Sequence, residues 1–182
     1  MTIYRAPSFA VRKAILCLAG ALSLSLHGPA MAETSAATNP QIDYDGFLAA
    51  AIAVQPIRDS HLLTWEEFAD RARQDGALLL DARSQSAFAQ GHIKGAVNLP
   101  FSDFTDHALA AVIGDDPTRP IYIYCNNNFT DNRAPIVTKR MDMALNIQTF
   151  INLHGYGYSN VWELGEALST SRMGDDWVAD GG

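Results

Sequence analysis

Short, continuously apolar segments that alternate with helical patterns are the feature that most constrains how this 182-residue chain can fold. Buried strands are predicted at residues 77–80, 96–99, 121–124 and 161–164, and a helix is predicted at 105–113. Strands without polar alternation are buried on both faces, which is typical of a parallel sheet covered by helices on each side. The sequence therefore predicts an α/β fold with a short parallel sheet.

Two further helices are predicted ahead of the first strand. Residues 43–54 show apolar side chains at helical spacing, and we expect Pro56 to stop that helix. Thr64 and Glu67 have the spacing of a capping box, which predicts a helix that ends near Gly76.

The first 32 residues have the pattern of an export signal. Basic residues precede an apolar run at 14–26, and residues 29–32 end in an A-x-A pattern, which predicts cleavage before Glu33. The apolar run is shorter than the ~20 residues that a membrane-spanning helix needs. We therefore expect a periplasmic or secreted protein without stable membrane insertion.

The predicted organisation is a signal peptide at 1–32, an N-terminal extension with a helix at 33–63, the α/β domain at 64–168 and a C-terminal tail at 169–182. From residue 33 onward, ten basic and twenty acidic residues give a formal charge of −10. This charge repels nucleic acid and anionic lipid, so neither is an expected partner.

Cys125 is the only cysteine after the predicted cleavage site, because Cys17 lies in the signal peptide. A single thiol forms no internal disulfide and supplies only one metal ligand. We expect no metal and no cofactor. The lone thiol is either an inert buried side chain or a reactive group.

The position of Cys125 favours a reactive role. Ligands of parallel sheets bind beyond the carboxyl ends of the strands, and both Asp81 and Cys125 lie at such ends. Pro135 favours a helix that begins near Asn132 or Arg133. The amide groups and dipole of that helix would form an anion cradle and lower the thiol pKa. The residues expected to form the cradle are Asn126, Asn127, Asn128, Phe129, Thr130, Asp131, Asn132 and Arg133.

Residues 78–100 resemble the signature of the rhodanese family, in which a strand ends in Asp-x-Arg and an aromatic residue precedes Gly-His-Ile-x-Gly-Ala-x-Asn-x-Pro. The matching residues are Asp81, Arg83, Phe88, Gly91, His92, Ile93, Gly95, Ala96, Asn98 and Pro100. Residues 121–125 match a strand that ends in cysteine, and residues 157–164 match Gly-Tyr-x-Asn-Val-x-x-Leu. The resemblance spans about residues 64–168 and implies a rhodanese-like fold.

Rhodanese-like enzymes use a cysteine that accepts sulfur from a donor such as thiosulfate and passes it to a thiophilic acceptor. The resemblance places this role on Cys125. It implies an exported sulfurtransferase or sulfur carrier that holds the sulfur as a persulfide. The implied partners are a small sulfane-sulfur donor and a thiophilic acceptor such as a protein thiol.

The Cys-Asn-Asn-Asn-Phe loop departs from the family pattern. It contains no glycine, and Arg133 lies eight residues after the cysteine. Asp131 stands where related phosphatases carry an arginine and would repel a phosphate dianion. Two alternatives stay open, namely a catalytically silent binding module of the same fold and a thiol-redox protein.

The remaining candidate residues have two readings each. Asp81 is expected to accept amide bonds that hold the cysteine loop, with proton transfer as the alternative. Arg83 either faces the anion site or pairs with a carboxylate at the surface. His92 is expected to be a hydrogen-bonded structural residue, with a role as a base as the alternative, and Phe129 either closes over the thiol or packs into the core.

Overall fold

The computed structural model describes residues 39–132, 134 and 136–179. The predicted signal peptide, Arg133 and Pro135 lie outside the described residues. Within the described ranges, no helix combines the length and the apolar character that crossing a membrane requires.

Seven short strands are present in the described chain: β1 (Leu62–Leu63), β2 (Leu78–Asp81), β3 (His92–Ile93), β4 (Val97–Asn98), β5 (Ile121–Tyr124), β6 (Val161–Leu164) and β7 (Trp177–Val178). Five of them form a parallel sheet in the order β1-β6-β5-β2-β4, and β3 pairs with β7 in an antiparallel ribbon. All residues of β2 and β5 are buried, as their continuous apolar runs predict.

The described helices are α1 (Tyr44–Ser60), α2 (Trp65–Ala72), α3 (Gln85–Gln90), α4 (Asp106–Ile113), α5 (Leu145–Gly155) and α6 (Thr170–Met173). The predicted capping box is present, because the Glu67 amide donates to Thr64 Oγ1 at 3.3 Å and the Thr64 amide donates to the Glu67 carboxylate at 3.2 Å. Apolar clusters fill both faces of the sheet, one under α1, α4 and α5 and the other under α2 and the C-terminal segment.

Pro56 does not stop α1, which continues through it to Ser60. A proline inside a helix removes one backbone hydrogen bond and crowds the preceding turn. Tertiary contacts offset this cost. Val54 packs into the core beneath α1, and Arg58 in its last turn donates two 2.6 Å hydrogen bonds to the Glu163 carboxylate of β6.

The prediction of a helix after Arg133 is wrong. Among the described residues, 134 and 136–140 are not helical, and the next α-helix begins at Leu145. Side chains hold this segment in other conformations: Asn132, at φ 44°, accepts from the amide of Thr138 at 3.2 Å. Local bonds from asparagine side chains to the backbone compete with helix formation.

The ion pair between Arg58 and Glu163 gives a stability prediction. The Glu163 side chain is 4% exposed and that of Arg58 is 29% exposed, so Arg58→Met leaves a buried carboxylate without its partner. We expect the free energy of unfolding in urea to fall by about 2–3 kcal/mol, below the full cost of a completely buried pair because Arg58 is partly solvated.

Arg172→Met is the matched control, because the ion pair of Arg172 with Glu66 is exposed. This substitution should change the stability little. Equal effects of the two substitutions would contradict the assignment of Arg58 as the anchor of α1.

Candidate active site

The carboxyl ends of β2, β4 and β5 border one open cleft with a volume of about 490 Å³. Its walls include Ala82 and Arg83 after β2, Pro100 and Phe101 after β4, and Asn126 after β5. Lys139 and Leu145 contribute from the segment that follows the cysteine loop. The cleft therefore lies at the edge of the sheet where the sequence places the site.

Cys125 follows β5 directly and is only 2% exposed. The backbone N–H group of Asn126 donates to its sulfur, whereas the N–H group of Asn128 donates to the Cys125 carbonyl at 3.1 Å. Both groups belong to one short 3-10 turn, Asn126–Asn128. The amide cradle at the thiol is thus limited to the Asn126 amide of a single turn, and the described residues that follow contain no α-helix before Leu145.

Burial raises the pKa of the Cys125 thiol from its ordinary value of 9.0 to about 12. The Asn126 amide lowers the pKa, the charge of Asp81 raises it, and the charges of Arg83 and Lys139 lower it, but removal from water outweighs these effects. The predicted lowering of the thiol pKa is therefore wrong for this closed conformation. The thiol of this conformation is therefore protonated at pH 7.

Asn128 joins the cysteine loop to the rest of the sheet. Its Oδ1 accepts from the Cys125 amide at 2.9 Å and from Asn146 Nδ2 of α5 at 2.8 Å. Its Nδ2 donates to the carbonyl of Leu164 at 2.6 Å and to that of Glu166 at 3.2 Å. The side chain is buried and uses both its donor and its acceptor, so it fixes the orientation of the loop.

Beyond Asn128 the loop runs extended beside the C-terminal segment. Phe129 forms a parallel bridge with Leu168, and the Thr130 amide donates to the Leu168 carbonyl at 3.0 Å. Asp131 Oδ2 accepts from the amide of Thr170, the first residue of α6, at 2.9 Å. Asp131 therefore caps α6, and it does not begin a helix after the cysteine loop.

Asn127 holds the backbone of Lys139 at two points. Asn127 Oδ1 accepts from the Lys139 amide at 2.9 Å, and Asn127 Nδ2 donates to the Lys139 carbonyl at 2.9 Å. Sequence reasoning missed Lys139. The only available signal was that basic residues follow the loop within an otherwise acidic chain.

Asp81 and Arg83 form a buried ion pair beneath the cleft. Asp81 accepts from the Arg83 amide at 2.9 Å, from Arg83 Nε at 2.9 Å and from the Tyr124 hydroxyl at 2.6 Å. The expectation that Asp81 accepts from the amides of the cysteine loop is wrong. Arg83 and Tyr124 occupy its oxygens instead. Arg83 pairs with a carboxylate, although in the interior and not at the surface.

The Arg83 guanidinium lies between aromatic rings. Its central carbon is 5.6 Å from the ring centre of Tyr124, 6.0 Å from that of Phe129 and 5.8 Å from that of Trp177. Phe129 is thereby a core residue of this cluster. Burial lowers the pKa of Arg83, but the hydrogen bonds and the charge of Asp81 together raise this pKa by a larger amount. The net shift of the Arg83 pKa is therefore upward. The guanidinium is therefore a permanent charge.

His92 has the structural role that its motif predicts. Its Nδ1 lies 2.9 Å from the Phe88 carbonyl, and its ring stacks on that of Phe88 at 3.8 Å between centres. Among the described residues, no cluster of histidine, cysteine and acidic side chains has an arrangement that would hold a metal ion.

The role of Asn128 can be tested with Asn128→Asp. The new carboxylate would face the carbonyl oxygens of Leu164 and Glu166, which need a donor. We expect a loss of about 3 kcal/mol in the free energy of unfolding at pH 7, and partial recovery at acid pH, where a protonated carboxyl can donate. A stability within about 0.5 kcal/mol of the parent at pH 7 would contradict this role.

Comparison with known proteins agrees with this architecture. A family model described as rhodanese-like domain matches residues 64–166. The uncharacterized protein YqhL of Bacillus subtilis (strain 168) is 40% identical over 72 residues, which cover 40% of this chain and 52% of that protein. The chain thus spans about half the length of this curated relative.

Two solved structures are also similar. The rhodanese-like domain of the Alr3790 protein from Anabaena sp. is 22% identical with a TM-score of 0.42, and the match covers 78% of this chain and 99% of that domain. The BH2092 protein from Bacillus halodurans is 16% identical with a TM-score of 0.41, over 66% of this chain and 77% of the other. Since the family model matches more than half of the sequence, the chain belongs to the rhodanese-like domain family.

Proposed function

We propose that this protein is a sulfurtransferase or sulfur carrier that holds sulfane sulfur as a persulfide on Cys125. One observation carries the proposal. In a chain of the rhodanese-like family, the only cysteine after residue 32 directly follows β5, and its sulfur accepts a hydrogen bond from the backbone amide of Asn126. Such an amide stabilises an anionic sulfur, whether thiolate or persulfide.

The proposed reaction is two successive displacements at sulfur. The Cys125 thiolate attacks the outer sulfur of thiosulfate, the S–S bond breaks, and sulfite leaves with the bonding electron pair. The thiolate of an acceptor then attacks the terminal sulfur of the persulfide and releases the Cys125 thiolate. Sulfur and electrons balance within these steps, so no external oxidant or reductant is required.

The closed site sets a condition on this chemistry. A thiol with a pKa of about 12 and 2% exposure is neither ionised nor accessible. We infer that the 3-10 turn Asn126–Asn128 moves when a donor binds, which admits water and lowers the thiol pKa. A persulfide is a stronger acid than a thiol, so its charge would use the amide cradle after sulfur transfer.

The same burial supports a second candidate, a silent binding module of the rhodanese fold. In that case Cys125 is a structural side chain, and the cleft binds a ligand or partner without turnover.

The thiol-redox alternative has no comparable support, since residues 33–182 contain no second cysteine to resolve a mixed disulfide. Export to the periplasm or medium remains part of the proposal.

Intact mass after incubation with thiosulfate separates the two candidates. We expect the full chain to gain the mass of one sulfur and to release one equivalent of sulfite. Cys125→Ser should lose this gain, and Cys17→Ser, the matched control, should retain it. If neither thiosulfate nor polysulfide gives a Cys125-dependent adduct, the sulfur-carrier proposal fails and the binding module is favoured.

A further inference from the structure

We propose that Lys139 is the cation that selects an anionic group in the cleft beside Cys125, and that Asn127 is the residue that positions it. The inference rests on the proposed function for the location of the chemistry, and it adds the charge of the ligand and the residues that recognise it. The ligand class is a small anion that carries sulfane sulfur at one end.

The first support is the double hydrogen bond between Asn127 and the Lys139 backbone, at 2.9 Å in each direction. It joins two residues that are twelve positions apart in the sequence and places Lys139 in the wall of the cleft with Asn126. Asn127 belongs to the same turn that supplies the Asn126 amide to the thiol. The cation and the thiol cradle are therefore positioned by one element.

The second support is the charge balance of the cleft. Arg83 also contributes to its wall, but Asp81 neutralises the Arg83 guanidinium in the interior. The ammonium group of Lys139 forms no hydrogen bond or ion pair with any part of the chain that the structure describes. Lys139 is close enough for its charge to lower the pKa of Cys125. Among the described residues that line the cleft, Lys139 is thus the cation that has no carboxylate partner.

The third support is the charge of the whole chain, which is −7. A surface of this sign repels anions at a distance, and the acidic Asp103 also borders the cleft. An anionic donor therefore needs a local positive charge at the point where it binds. Lys139 supplies that charge from the wall of the cleft.

The test uses thiosulfate as the probe and Cys125→Ser as the background, so that binding is measured without sulfur transfer. In ¹H–¹⁵N spectra, the amides of Asn126 and Asn127 should shift saturably with thiosulfate. Lys139→Gln should weaken binding about fivefold, the effect of one solvated charge at contact distance. Lys139→Arg should retain binding, and added NaCl should weaken it in the parent.

Lys94→Gln is the matched control, because it removes the same charge from an exposed lysine that does not line this cleft. Asn127→Ala should weaken thiosulfate binding although Lys139 is still present. Equal affinities for Lys139→Gln and Lys94→Gln, or no saturable shift in the Cys125→Ser background, would overturn the proposal.

A second measurement separates this inference from the proposed function. With Cys125 intact, the rate at which its free thiol is consumed is compared between anionic thiosulfate, which gives the persulfide and releases sulfite, and neutral dimethyl trisulfide, whose central sulfur is attacked to give a methyl trisulfide on Cys125 with release of methanethiolate. Lys139→Gln should slow only the reaction with thiosulfate. Equal slowing with both donors would refute charge selection while leaving sulfur transfer intact, whereas no adduct in any variant would refute sulfur transfer itself.

Discussion

A fully buried arginine constrains much of this structure, because a charge removed from water needs a partner and donors need acceptors. Arg83 is 1% exposed, and its guanidinium donates to Asp81 and to the Gly91 carbonyl at 2.7 Å. Asp81 also binds the Tyr124 hydroxyl, which in turn accepts from the Ile93 amide at 3.0 Å. One ionic network therefore connects β2, β5 and β3 directly under the cysteine loop.

The glycine-free cysteine loop lies above this ionic network, and its three asparagines make different contacts. Asn126 borders the cleft and gives an amide to the thiol, Asn127 holds Lys139, and Asn128 ties the loop to β6 and α5. The contacts of Asn127 and Asn128 require side-chain amides, which glycine lacks. The result is a cradle of defined shape that is closed over its sulfur.

The sequence was informative wherever the deciding interactions are local. Continuous apolar runs located β2 and β5, a capping box located the start of α2, and the strand ends located the cleft. Predictions from the sequence were wrong where contacts between residues far apart in the chain determine the local structure. The hydrogen bond from Arg58 to Glu163, 105 positions away in the sequence, stabilises the part of α1 that follows Pro56. The hydrogen bonds from Asn127 to the Lys139 backbone hold that residue in a non-helical conformation. The high thiol pKa also follows from burial, which no local pattern contains.

Burial, and not the amide cradle, controls the protonation of Cys125 in the closed protein. Because burial raises the pKa of Cys125 from 9.0 to about 12, the native state retains this proton more tightly than the unfolded chain. The resulting stabilisation is complete below pH 9 and is lost as the pH rises toward 12.

The most direct measurement is the thiolate absorbance near 240 nm, titrated as the difference between the parent protein and Cys125→Ser. The account predicts no thiolate signal from Cys125 below about pH 10 while the protein is folded. A thiolate that titrates at or below about pH 8 in the folded protein would contradict it and restore the amide cradle as the dominant influence.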